Sequence, residues 1–169
     1  MSDKTRQNLE KWCRAEGIEF IDAEAEAAYK RRTRRIADVI QLKVPDRVPV
    51  VPSFGMFPYL DNGLTCEEAV FNYEKADAAV MQTLAEFKPD MFLGSGYAFP
   101  APLFEALGYK QLRWPGREIA SHYVYQFVED EYLQADEYDQ FLSDPSDFVI
   151  RKIWPRISAG LEPLGEFPS

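Results

Sequence analysis

Two short apolar runs flank a capped helical stretch, and this order constrains the fold more than any other feature of the chain. Val48-Pro49-Val50-Val51 comes first, Thr65 and Glu68 then make a capping box, and Asp90-Met91-Phe92-Leu93-Gly94 closes the series. The helix opened by the box is expected to run to about Phe87. Its buried stripe would be Val70, Tyr73, Ala76, Val80, Met81, Leu84 and Phe87. Strand, loop, long helix, strand predicts a βαβ unit, with parallel pairing and a right-handed crossover. Pro49 is expected at the first residues of its strand, because proline cannot donate to a ladder.

Ahead of this unit the text is polar and helical. Leu9, Trp12 and Cys13 recur at helical spacing up to Gly17, which supplies a stop. Asp22 reads as the N-cap of a second helix to about Leu42, with Ala25, Ala28, Tyr29, Ile36, Val39 and Ile40 on one side. Lys30, Arg31, Arg32, Arg34 and Arg35 cluster inside it. Glu26 stands four residues before Lys30 and Asp38 four after Arg34, so a solvated face of i,i+4 pairs is favoured over a nucleic-acid patch.

Past residue 94, Pro102 opens a short helix, LFEALG, stopped at Gly108. Trp114-Pro115-Gly116 signals a turn, and Tyr123, Tyr125 and Phe127 alternate as in a strand. Two acidic helical pieces follow, around 134–143 and 146–154, and a turn-like tail ends the sequence.

Composition removes several classes. The 169 residues suffice for one ordinary domain, and 46% hydrophobic content rules out global disorder. The net charge of −9 is uneven, +2 over residues 1–47 and −11 over 48–169, which speaks against a general nucleic-acid binder. Two cysteines exclude a disulfide scaffold and a Cys-rich zinc module and fit a reducing cytosol. The polar N-terminus is unlike a signal peptide and no apolar run reaches membrane-spanning length, so a cytoplasmic protein is expected.

No P-loop, G-x-G-x-x-G, G-x-S-x-G or HExxH pattern is present. His122, the single histidine, lacks a neighbouring Cys or second His and reads as a surface or half-buried side chain. Cys13 and Cys66 have no base beside them and read as ordinary thiols. Eight acids between Glu129 and Asp147 lack the spacing of a calcium loop and read as a solvated face. In parallel α/β folds ligands bind at the C-terminal ends of strands. The loops there are Ser53–Tyr59 and Gly94–Phe99, so Ser53, Phe54, Met56, Tyr59, Ser95 and Tyr97 are the ligand-pocket candidates, and no residue is assigned a catalytic role or a metal.

VPDRVPVVP (44–52), the helix after Thr65, FKPDMFLGSG and PLFEALGYKQLRWPG resemble the N-terminal portion of the uroporphyrinogen decarboxylase-like superfamily over roughly residues 30–157. EDEYLQADEYDQFLSDPSDF looks like its longer members. The superfamily holds uroporphyrinogen decarboxylases and cobalamin-dependent methyltransferases that use zinc to activate a thiol. The decarboxylases hold substrate carboxylates with an Arg-Gln-Ala-Gly-Arg stretch after the first strand, where this chain has the cation-free loop 53–59. They also carry an aspartate at the end of the next strand, where this chain has Leu93-Gly94-Ser95-Gly96. True uroporphyrinogen decarboxylation is therefore not expected. The methyltransferase zinc ligands belong to the later half of the family's fold, so the resemblance places neither zinc nor corrinoid contacts here.

The resulting expectation is an α/β chain, the N-terminal and incomplete portion of a TIM (β/α)₈ barrel, with a helical arm over 1–43 and the partial barrel over 44–169. By resemblance it serves an enzyme acting on a tetrapyrrole or in corrinoid-linked methyl transfer, inactive as this chain alone, with no nucleic-acid or membrane partner. The alternative is a non-catalytic interaction fragment that self-associates or needs a complementing chain, since a short parallel sheet leaves open edges.

Overall fold

The computed structural model describes residues 2–94 and 98–166. Its elements are α1 (Asp3–Arg14), α2 (Ala23–Ile40), α3 (Phe57–Asp61), α4 (Cys66–Phe71), α5 (Tyr73–Phe87), α6 (Ala101–Ala106), β1 (Leu112–Arg113), β2 (Gln126–Phe127), α7 (Tyr138–Ser143), α8 (Pro145–Phe148) and α9 (Trp154–Ile157). A π turn (Val149–Ile153) joins α8 to α9, and 3-10 turns cover Ala135–Glu137 and Ala159–Glu166. Two compact units emerge where length alone suggests one domain. The first comprises residues 1–54 and 83–94, the second 55–82 and 95–169.

The expected partial (β/α)₈ barrel is overturned. The chain is 57% helical, and among the described residues its only sheet is the two-stranded antiparallel pair β1–β2. The runs at 48–51 and 90–94 are extended but form no ladder. Asp90 N–H donates to Val50 C=O at 2.9 Å, yet Val50 N–H is taken by the Asp90 carboxylate at 2.8 Å instead of a main-chain carbonyl. Pro49, Pro52 and Pro89 remove further donors. Parallel strands are buried on both faces, whereas Val48 and Val50 are 80% and 53% exposed.

The first unit starts with well-capped helices. Ser2 Oγ accepts Thr5 N–H, and the Asp22 carboxylate accepts Ala25 N–H at 2.7 Å. Ala15 and Gly17, both at positive φ, end α1. Of the apolar side expected for α2, Ile36 is buried, while Val39 and Ile40 are exposed.

In the second unit the capping box forms as expected: Thr65 Oγ1 accepts Glu68 N–H while Glu68 accepts Thr65 N–H. The helix it opens is interrupted at Asn72, whose Oδ1 accepts Lys75 N–H and starts α5 afresh. Val70, Ala76 and Val80 are buried, but Tyr73 and Met81 are exposed, as is Phe87, which belongs to the first unit. The core comprises Val70, Ala101, Leu112 and Trp114, packed by Phe71, Phe99, Phe104, Tyr109 and Tyr125. The Trp114 ring meets those of Phe99, Phe71 and Tyr125 at centroid distances of 5.7–6.1 Å. The turn after it needs Gly116, with φ +74°; a Cβ there would lie 2.1 Å from the Glu67 carboxyl carbon. Arg117 then spans Glu105 and Glu67 and lies 4.3 Å above the Phe71 ring. At the chain's end, Ala159 N–H and Gly160 N–H bind Gly108 C=O and Leu107 C=O.

The Trp114→Ala substitution is expected to cost about 3–5 kcal/mol, the range for emptying a buried aromatic site. Urea denaturation followed by circular dichroism measures it; a loss below about 1 kcal/mol contradicts the assignment of Trp114 to the core.

Candidate functional site

The sequence places chemistry-bearing side chains in two arrangements within the first unit. The earlier of these is an ion cluster. Arg35 on α2 faces inward with its side chain 8% exposed, and the Asp90 carboxylate is fully buried. Arg35 donates from Nε and Nη2 to Asp46 at 2.6 and 2.5 Å, and from Nη1 to Asp90. Arg47 approaches Asp90 from another side, with Nη1 and Nη2 at 2.7 and 2.9 Å from its two oxygens. Two arginines and two aspartates leave the cluster neutral, which is the condition for burying charge.

The protonation states follow from those contacts. Burial by itself would raise the Asp90 carboxyl, but the Val50 N–H, Arg47 and Arg35 outweigh it and hold it below its ordinary value. The Arg35 hydrogen bond keeps Asp46 down to about 2, and Asp46 in turn raises Arg35 further. Arg35, Asp46 and Asp90 are thus ionised throughout the neutral range, and none of the three is poised for proton transfer.

The second arrangement is an open groove of about 960 Å³ between α1, α2 and the 84–92 stretch. Ala25 and Ala28, small residues on one side of α2, leave the space. Trp12, Tyr29 and Phe92 supply aromatic surface, and Arg31, Arg32 and Lys88 supply positive charge. Of the acidic residues there, Asp22 caps α2 and Asp90 is held in the ion cluster, leaving Glu24. Among the described residues Arg31, Arg32 and Lys88 make no ion pair, whereas Lys30 pairs with Glu26 at 2.5 Å as its spacing suggests.

The pocket candidates are distributed differently. Ser53 is exposed, and Phe54 lies half-buried with Phe87 and Phe92 at 6.1 and 6.0 Å between ring centroids. These two belong to the first unit, while Met56, half-buried ahead of α3, and Tyr59, 3% exposed on α3, belong to the second. Burial pushes the Tyr59 phenol up. Ser95 and Tyr97 lie outside the described residues. Tyr59 is core, and the four described candidates are divided between the two units.

Sequence reasoning missed Arg35 and both halves of the groove. A signal existed: Arg35 stands seven residues after Ala28 and beside Ile36, on the side of α2 read as apolar. A cation on such a stripe implies a buried anion. The eight-acid run is also less solvated than expected, since Arg156 holds Glu137 and Arg151 holds Asp147.

Zinc finds no fit. Cys13 and Cys66 are buried, the Cys66 thiol is pushed up by burial, and its Sγ contacts the His122 backbone carbonyl, not the imidazole. His122 is exposed with its ring 4.5 Å from that of Tyr123. Among the described residues no group of three or more His, Cys, Asp or Glu could hold a metal ion, and no helix is long and apolar enough to cross a membrane. The chain matches no family model, no curated protein and no solved structure.

Two outcomes are expected for the ion cluster. Asp90→Asn leaves Arg35 under-compensated in the interior and should cost about 3–5 kcal/mol in urea unfolding. In the folded chain Asp46, Glu68 and Glu137 sit at about 2, below their ordinary 3.8 and 4.5, and Asp90 is lowered as well. Their contribution to stability is therefore complete above those ordinary values and disappears as pH falls toward 2. An acid titration by circular dichroism should show this loss, with a shallower acid limb in Asp90→Asn; an identical limb argues against the lowered Asp90.

Proposed function

We propose that this chain serves an enzyme of the uroporphyrinogen decarboxylase-like superfamily, working on a tetrapyrrole or in corrinoid-linked methyl transfer, and does not itself decarboxylate uroporphyrinogen. The observation that carries the reading joins sequence and geometry. Pro45-Asp46-Arg47 and Pro89-Asp90 belong to two of the segments on which the resemblance rests, and Arg47 meets Asp90 across 43 residues. Charged residues of both segments thus have one structural task, which accounts for their presence together. The loop 53–59 bears no cation for substrate carboxylates, which sets this chain apart from the decarboxylases.

Absorbance titration of the chain with aquacobalamin and with uroporphyrin III tests this. A saturable spectral shift with at least one of them is expected, with no carbon dioxide released from uroporphyrinogen. No shift up to about 1 mM, which corresponds to binding weaker than about −4 kcal/mol, overturns the reading.

A second reading, a non-catalytic module that pairs with another copy of itself, is favoured by the extended segment near Val44, Val48 and Val50. These side chains are 95%, 80% and 53% exposed, and such an apolar patch can be covered by the same patch of a second copy across a two-fold axis. Sedimentation should then show a concentration-dependent dimer that Val48→Lys dissociates; a monomer at all concentrations removes this reading.

A further inference from the structure

We propose that the groove between α1, α2 and the 84–92 stretch is a binding site for a planar aromatic anion bearing two or more negative charges. Uroporphyrin III is itself a flat polyanion, so the groove is probed with an anion that is not a tetrapyrrole, and either reading can fail without the other. Three kinds of observation converge on it.

Size comes first. About 960 Å³ is at the upper end of the range for organic-ligand clefts and far more than an inorganic anion needs. Next is surface character. Trp12, Tyr29 and Phe92 line it and offer ring surface on which a flat aromatic body stacks. The alanines of α2 keep its side of the groove shallow enough for such a body to approach.

Charge supplies the sign. The whole chain is at −9, so a local excess of cations is contrary to its surroundings. Arg31, Arg32 and Lys88 line the groove without an ion pair among the described residues, and Glu24 is the one lining carboxylate not already bonded as a cap or in the cluster. Adjacent guanidinium groups recognise carboxylate, sulfonate or phosphate oxygens through paired N–H donors. Lys88 also takes a positive φ of 46°, a backbone state that favours glycine, directly before Pro89. An ordinary helix end would gain from glycine at this position, whereas lysine brings an ammonium to the groove.

An alternative assignment of the three cations is a solvated face. It explains their exposure but not why Trp12, Tyr29 and Phe92 line the same groove.

The test uses 1,3,6,8-pyrenetetrasulfonate, a flat fluorescent tetra-anion, with anisotropy as the readout. Saturable binding to the chain is expected, weakened about tenfold or more by the pair Arg31→Gln and Arg32→Gln, the scale of a lost charge-assisted contact. Trp12→Leu should weaken it as well, by removing the stacking face. Lys88→Gln, on a different element, gives the same direction of change should the α2 variants unfold, which thermal melts monitor. Inorganic phosphate should displace the probe only at far higher concentration. The proposal is overturned if anisotropy does not change, if the charge variants bind as tightly as the parent chain, or if phosphate competes at concentrations equal to the probe's.

Discussion

A carboxylate without solvent must find its entire solvation in the protein, and Asp90 does so with two guanidinium groups and one backbone N–H. Everything in the first unit is arranged around that requirement. The α2 helix must present Arg35 inward, the Pro45-Asp46-Arg47 turn must follow within reach, and the stretch at 48–50 must run beside residue 90. Deleting either charge sign would leave the other buried and uncompensated. The arrangement is neutral and saturated, so it holds the unit together without offering a reactive group.

The same geometry accounts for what remains open. Arg35 is committed to the interior, while its neighbours on α2, Arg31 and Arg32, line the groove and make no ion pair among the described residues. Ala25 and Ala28, on the same helix, leave room beside them. In the second unit the organising force differs. There a cluster of aromatic rings around Trp114 excludes water, and Gly116 lets the following turn pass close to Glu67.

Much of the local structure was legible because it depends on near neighbours. The caps at Asp22 and Thr65, the turn at Trp114-Pro115-Gly116, the short helix before Gly108 and the Asp144-capped piece all occur where side-chain chemistry indicates. The sheet was not. Val48–Val51 and Asp90–Gly94 have the apolar content of buried strands, but the prolines and the Asp90 side chain take away the N–H donors a ladder uses. The candidate site suffered for the same reason. A loop at a strand's end needs the strand, and without it Phe54 packs on Phe87 and Phe92 while Tyr59 enters a core.

The sequence by itself determined where helices begin and stop, which turns need glycine, and that motifs for several well-known chemistries are missing. These are short-range matters, settled by hydrogen bonds within a few residues of each other. Only the tertiary structure decided that Arg35 is interior, that its partners are Asp46 and Asp90, and that Trp12, Tyr29 and Phe92 share a groove with Arg31, Arg32 and Lys88. Periodicity assigns a residue to one side of a helix, but it carries no information about which distant segment arrives there. That choice rests on the desolvation cost of a buried charge, which exists only once another segment has covered it.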